Sequence, residues 1–144
     1  FVGSSGGFVA ADHPFIELLI NRARPFIFTT ASPPADAAAA LAAIELLRSA
    51  EGEALKARLR RLIDVVRPGS PSPIIPVLVG DEDAATTASR RLLEDGLLVP
   101  AIRPPSVPPG SSRLRITLSA AHADDDVRRL VEALSALEVV GARV

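Results

Sequence analysis

Residues 101–122, AIRPPSVPPGSSRLRITLSAAH, constrain this chain more than any other stretch. Pro104, Pro105, Pro108 and Pro109 fix φ and lack the backbone N–H, so this part cannot be helix and reads as a stiff connection. It leads into an expected strand over Arg113 to Ala120. Side chains alternate along a strand, so Arg113, Arg115 and Thr117 share one face while Leu114, Ile116 and Leu118 share the other. One face is therefore expected to be buried and the other to carry two guanidiniums. A guanidinium fork beside an ordered proline loop matches the two oxygens of a carboxylate. Spacing alone also fits an ordinary solvated face, which is the simpler reading of arginines on a strand.

The neighbouring segments give that strand a setting. Arg67-Pro68-Gly69-Ser70-Pro71-Ser72-Pro73 is rich in breakers and reads as a boundary. Ile74 to Val79 follows as a strand in which Pro76 points to an edge or an irregular ladder position. A helix from Asp81 to Asp95, with Ala84, Ala88, Leu92 and Leu93 inward, is closed by Gly96. Leu97 to Ile102 reads as a second strand, and after the proline loop and the third strand Asp124 caps a last helix. Val127, Leu130, Val131, Leu134 and Leu137 form the apolar face of that helix. The order strand-helix-strand-strand-helix predicts an α/β fold, a small mainly antiparallel sheet with helices on one face. The tail after Glu138 carries no clear pattern.

The first half reads differently. Gly3 to Gly7 is a Gly/Ser loop that passes into an extended Gly7 to Ala11; without a Gly-Lys-Ser/Thr ending it is weak evidence for a phosphate loop. Asp12 can cap a helix starting at His13-Pro14, with Phe15, Ile16, Leu18, Leu19 and Ile20 as a broad apolar face. Phe26-Ile27-Phe28 reads as a short buried strand leading to Thr29 and Thr30, just before a helix entered through Ser32-Pro33-Pro34. Two hydroxyls there suit a phosphate; equally, Ser32 caps the helix and the threonines serve β-propensity. That helix carries Leu41, Ala43, Ile44 and Leu47 at helical spacing as far as Ala50, and Glu51-Gly52 punctuates it. A second helix then runs to Val66 with Leu55, Leu59, Leu62, Ile63 and Val66 on one side. Its basic side, Lys56, Arg58, Arg60 and Arg61, is most simply solvated.

Several function classes drop out. A 144-residue chain that is 48% hydrophobic can bury a core. Its net charge of -1, with acids and bases interspersed and no aromatic-basic interleaving, marks neither a nucleic-acid nor a membrane-surface partner. The absence of cysteine removes disulfides and thiolate metal sites and is compatible with a reducing, cytoplasmic setting. The apolar run from Ala37 to Ile44 falls short of the roughly 18 residues of a membrane span. His13 and His122 make a poor zinc set, and Asp124-Asp125-Asp126 at a helix start complements the helix dipole without an ion. No metal is expected. With no methionine and no basic leader before an apolar stretch, the expectation is a piece of a longer translation product with some of its chemistry upstream of Phe1.

Three stretches together carry a family resemblance: Ala101 to His122, Gly3-Ser4-Ser5-Gly6-Gly7-Phe8-Val9, and Arg24-Pro25-Phe26-Ile27-Phe28-Thr29-Thr30-Ala31-Ser32-Pro33-Pro34. In order and spacing the chain resembles the C-terminal part of the 8-amino-7-oxononanoate synthases, within the α-oxoamine synthase family of fold-type I pyridoxal 5'-phosphate (PLP) enzymes. The resemblance implies residues 1–71 as closing segments of a large PLP-binding domain with connecting helices, and 72–144 as a small α/β domain. It implies a decarboxylating condensation of L-alanine with pimeloyl-CoA or a pimeloyl-carrier protein, on a cytoplasmic homodimer with shared active sites. Arg115 matches the arginine that binds the amino-acid carboxylate. Ser106 matches a position, commonly threonine, near the acyl chain, and Arg103 and Arg113 are assigned supporting roles. Thr29 and Thr30 match the pair that reaches the PLP phosphate of the neighbouring subunit. No catalytic residue lies in the chain by this resemblance, because the lysine that carries PLP falls immediately upstream of Phe1. Lys56, the only lysine, lies in an amphipathic helix and is no substitute. The alternatives are a glycine-using α-oxoamine synthase, which usually lacks Ala-Ile-Arg-Pro-Pro, and a non-enzymatic α/β interaction domain.

Overall fold

The structure is a computed structural model that describes residues 5–137. The chain forms two compact units that divide between Glu53 and Ala54.

In the first unit, helices α1 (His13–Arg22), α2 (Arg24–Ile27) and α3 (Pro34–Arg48) precede α4 (Ala50–Val66), which begins there. Asp12 occupies the N-cap of α1, but its side chain makes no capping bond. The strand expected at Phe26-Ile27-Phe28 is instead the turn of α2 and its exit. Phe26 and Ile27 donate their N–H groups to the Ala23 carbonyl and Phe28 donates to that of Arg24, each at 3.0 Å. A strand needs a neighbour to satisfy its N–H and C=O groups, and none is paired with this segment among the described residues; a helical turn satisfies them locally. Helix α3 starts behind Pro33, not Ser32, because a proline's missing N–H costs nothing in a first turn.

The break between α3 and α4 falls at Ser49, not at Glu51-Gly52. The Ser49 hydroxyl donates to the Leu46 carbonyl at 2.7 Å and accepts the Gly52 N–H at 3.2 Å, so it ends one helix and caps the next. Gly52 thus lies inside the first turn of α4, where an added Cβ would collide with the Leu46 carbonyl oxygen. No side chain of α1, α2 or α3 is buried.

The second unit contains β1 (Ile74–Gly80), α5 (Glu82–Glu94), β2 (Ala101–Ile102), β3 (Ser112–Thr117) and α6 (Asp124–Ala136). The sheet order is β1-β3-β2, with both outer strands antiparallel to β3. β1 and β2 are therefore parallel to each other, joined by α5, with β3 inserted between them as a split βαβ arrangement. The register sets Ile75 opposite Ile116 and Val77 opposite Leu114. These four side chains are buried with Leu62, Ile63 and Val66 of α4, Ala88 and Leu92 of α5, and Val127, Leu130 and Leu134 of α6. The helices of this unit thus pack on the same face of the sheet, as expected. Burying a side chain of this kind contributes about 1.5–3 kcal/mol.

Helix α5 turns Ala85, Ala88 and Leu92 inward, a three-then-four spacing along one stripe; Ala84 and Leu93 are exposed, contrary to expectation. Asp81 accepts the Ala84 N–H at 2.7 Å. At the other end Gly96, at φ +78°, takes the left-handed position that lets its N–H reach the Leu93 carbonyl and that of Leu97 reach Leu92.

β2 is shorter than Leu97 to Ile102 because the earlier residues bond to α5. Leu97 N–H goes to Leu92, and the Val99 carbonyl accepts the Ser89 hydroxyl at 2.7 Å. β3 stops at Thr117, not Ala120, since the Ser119 N–H is turned onto His122 Nδ1 at 3.0 Å. Ala123, not Asp124, occupies the N-cap of α6. Arg58 is not part of a uniformly solvated face: it donates to the carbonyls of Ala120 and His122 at 2.9 Å and pairs with Asp124 at 3.0 Å. Asp125 pairs with Arg128, and Asp126 with Arg129. The tail after Glu138 lies outside the described residues.

Asp64, on the last turns of α4, accepts two bonds from the Arg60 guanidinium, at 2.7 and 3.3 Å, and one from the Gly69 N–H at 3.2 Å. The Arg60 side chain first, and the Gly69 amide second, hold its carboxyl below the usual 3.8. A carboxyl whose folded value is depressed contributes stability that is complete above its unfolded value and lost as pH falls through the lower folded one. The Asp64 carboxyl carbon is therefore expected to titrate in NMR with a midpoint below 3.8, and Arg60→Ala should move that midpoint back toward 3.8.

Candidate functional site

The face of the sheet opposite the helices carries the cationic site. There the register sets Ile74 opposite Thr117, Pro76 opposite Arg115 and Leu78 opposite Arg113. Leu118 N–H donates to Pro73 and Arg115 N–H to Pro100, so in these three pairs the backbone groups turn away from the partner strand. Side chains approach most closely in pairs of that kind. Arg115 thus stands across from Pro76, with Ile74 and Leu78 diagonal to it and 51% and 53% exposed. The result is an exposed guanidinium whose cross-strand neighbours on β1 are apolar and whose neighbours along β3 are Arg113 and Thr117.

The arginines nearby differ in availability. The Arg115 guanidinium has no hydrogen bond or ion pair among the described residues and its side chain is exposed. Arg113 is half-buried and its Nε donates to the Ser111 carbonyl at 3.0 Å. Arg103 is engaged by Glu82 of α5 at 2.9 Å. Nothing in the sequence flagged Glu82, which lies 21 residues away and meets Arg103 only because α5 folds back beside β2.

The proline loop is held by its own bonds. Ser106 N–H donates to the Arg103 carbonyl at 3.0 Å, and the Ser111 hydroxyl donates to that of Pro108 at 2.6 Å. The Pro104–Pro105 peptide is cis. Arg103 and Ser106 therefore share one turn, and the Pro100–Arg115 bond ties the segment leading into that turn to the central strand. Thr29 and Thr30 belong to the first unit, in an exposed loop after α2 instead of at a strand end. Their hydroxyls have no hydrogen-bond partner among the described residues, which leaves both free to donate to an anion.

Among the described residues there is no group of three His, Asp or Glu that could hold a metal ion, and no helix long and apolar enough to cross a membrane.

The family model for aminotransferase class I and II matches residues 1–134. The chain belongs to the aminotransferase class I and II family. Among curated members related to this aminotransferase-family chain, the 8-amino-7-oxononanoate synthase of Cupriavidus necator is 49% identical over 148 residues, covering 93% of this chain. The chain spans 37% of the length of that relative. Two solved structures share the fold. A serine palmitoyltransferase from S. paucimobilis with PLP and myriocin bound has a TM-score of 0.77 at 32% identity, over 94% of this chain and 37% of that one. The 8-amino-7-oxononanoate synthase from Francisella tularensis has a TM-score of 0.70 at 25% identity, over 87% of this chain and 39% of that one. The resemblance read from the three sequence stretches is thereby confirmed at the level of family and fold.

Proposed function

We propose that this chain is the carboxylate-holding portion of a PLP-dependent acyltransferase that condenses L-alanine with a pimeloyl thioester, releasing carbon dioxide, to give 8-amino-7-oxononanoate. The observation that carries the proposal is Arg115, an exposed guanidinium without a partner among the described residues, on the sheet face opposite the core of a chain 49% identical to a synthase of that name. Arg115 binds and orients the amino-acid carboxylate through its two-pronged fork. Ser106 offers a hydroxyl to the acyl end of the substrate. Arg103, already committed to Glu82, supports the loop and adds positive potential.

Thr29 and Thr30 donate their hydroxyls to the cofactor phosphate of a second subunit in a homodimer. The two unengaged hydroxyls fit that role. PLP, when bound, supplies the electron sink for breaking a bond at the amino-acid α-carbon. Residues 1–71 then belong to the large PLP-binding domain and its connecting helices, residues 72–144 to the small domain, and the protein works in the cytoplasm. The lysine that carries PLP lies on the remainder of the protein, so the isolated chain is inactive.

A graft tests the proposal. This chain replaces the matching segment of the Cupriavidus necator synthase, and the hybrid is assayed with PLP, pimeloyl-CoA and either L-alanine, glycine or L-serine. Product from L-alanine in preference to the other two is the expected result. A hybrid that takes up PLP yet turns over only glycine or serine overturns the substrate assignment; one that takes up PLP and turns over none overturns the enzyme assignment.

A further inference from the structure

The outer edge of β1 is where this molecule is most exposed to strand addition. Ile74-Ile75-Pro76-Val77-Leu78-Val79 is an uncharged run rich in β-branched and aliphatic residues, it lies at the edge of the sheet formed by the described residues, and Ile74 and Leu78 are exposed. An edge of this composition is a template for a second chain unless something blocks it.

The blocking groups can be followed bond by bond. Leu118 N–H donates to the Pro73 carbonyl, so Pro73, Ile75 and Val77 direct their backbone groups toward β3, while Ile74, Pro76 and Leu78 direct theirs outward. The outward N–H of Ile74 is taken by the Ser72 hydroxyl at 3.1 Å. The next outward position has no N–H, because it is proline. Its carbonyl accepts Nη1 of Arg67 at 2.9 Å, which also sets a positive charge against the edge. An incoming strand would have to strip that guanidinium of its bond and its water and would still meet no donor at Pro76. Only Leu78 keeps both outward groups, too few for a ladder. The opposite edge is shorter, two residues in β2, and there the Val99 carbonyl is held by Ser89 of α5.

We infer that Arg67 and Pro76 act together as a guard that keeps β1 from pairing with β1 of a second copy of this chain. The guard is separate from the carboxylate face, since it acts in the plane of the sheet and Arg115 projects from that plane.

The test compares the 144-residue chain with its Arg67→Ala/Pro76→Val variant, by sedimentation and by amide hydrogen exchange across a range of concentrations. The variant is expected to reach twice the sedimenting mass where the wild type does not. The N–H groups at positions 76 and 78 should gain protection that rises with concentration. Association through the exposed side chains of the first unit occurs alike in both proteins and gives no protection at those amides. A folded variant of unchanged mass with unprotected amides overturns the inference, and so does a wild type whose Leu78 amide is already protected in a concentration-dependent way. Protection of Leu114 and Ile116 reports that the sheet is intact. If the double variant loses it, Arg67→Ala/Pro76→Ala, which restores the N–H at this exposed position with a smaller side chain, decides between the same two outcomes.

Discussion

Replacing Arg115 with alanine in the grafted enzyme is expected to lower the L-alanine-dependent rate about a hundredfold. Two hydrogen bonds from a guanidinium to a carboxylate are together worth about 3 kcal/mol, and 1.4 kcal/mol is a factor of ten. The loss should appear mainly as a raised KM for L-alanine, with the KM for the thioester unchanged, because the fork holds one substrate and not the other. Arg115→Lys keeps the charge but not the planar fork and should recover only part of the rate. Arg103→Ala gives the contrast. Its guanidinium is already held by Glu82, so its removal is expected to change the L-alanine KM much less. Equal losses for Arg103→Ala and Arg115→Ala would show that general positive potential, and not the fork, binds the substrate.

The largest expected stability effect lies directly beneath that site. Leu114 is fully buried and belongs to the central strand, opposite Val77 on one side and Ala101 on the other. Leu114→Ala leaves a hole between the sheet and the helices packed on it, flanked by the side chains of two strands that their ladders hold in place, so a loss of about 2–5 kcal/mol is expected. Domains of this size are stable by about 5–15 kcal/mol, which makes this a large fraction of the whole. Urea unfolding followed through exchange at the Ile116 amide should show a lower midpoint with an unchanged slope. Leu98→Ala, at a position 82% exposed, should shift the same midpoint by no more than about 0.5 kcal/mol equivalent. A similar shift for both would place the core elsewhere.

The second half of the chain was legible because its periodicities point the same way as its breakers. The alternation in β3 and the apolar stripe of α6 each specify one geometry, and of the two settings open to Pro76, an edge or an irregular ladder position, the structure has the edge strand. Where the reading slipped, the backbone found partners that the local sequence does not name. Leu97 to Val99 look like a strand by composition, yet their bonds go to Leu92 and Ser89. Phe26 to Phe28 look like a buried strand, yet without a strand to pair with among the described residues they close a helical turn. Of the site, the separation of Arg115 from the apolar face could be read from spacing. The engagement of Arg103 by Glu82 could not, since it depends on how α5 crosses the sheet. Nor could the position of Ser49, whose hydroxyl serves two helices at once where Glu51-Gly52 looked like the break.

The order of strands in space differs from their order along the chain, and this bears on synthesis. β3 is central in the sheet but last in sequence, and β1 and β2 are not paired with each other. As the polypeptide leaves the ribosome, β1 emerges with its inner backbone groups unpaired and waits through α5, β2 and the proline loop before its partner arrives. The inner side of the hydrophobic run Ile74 to Val79 stays open for that interval, about as long as 40 residues take to be made at about 5–20 residues per second. Any pause in translation between Gly80 and Ser112 lengthens the time in which that strand can pair with the wrong chain, and arrival of the last strand ends it.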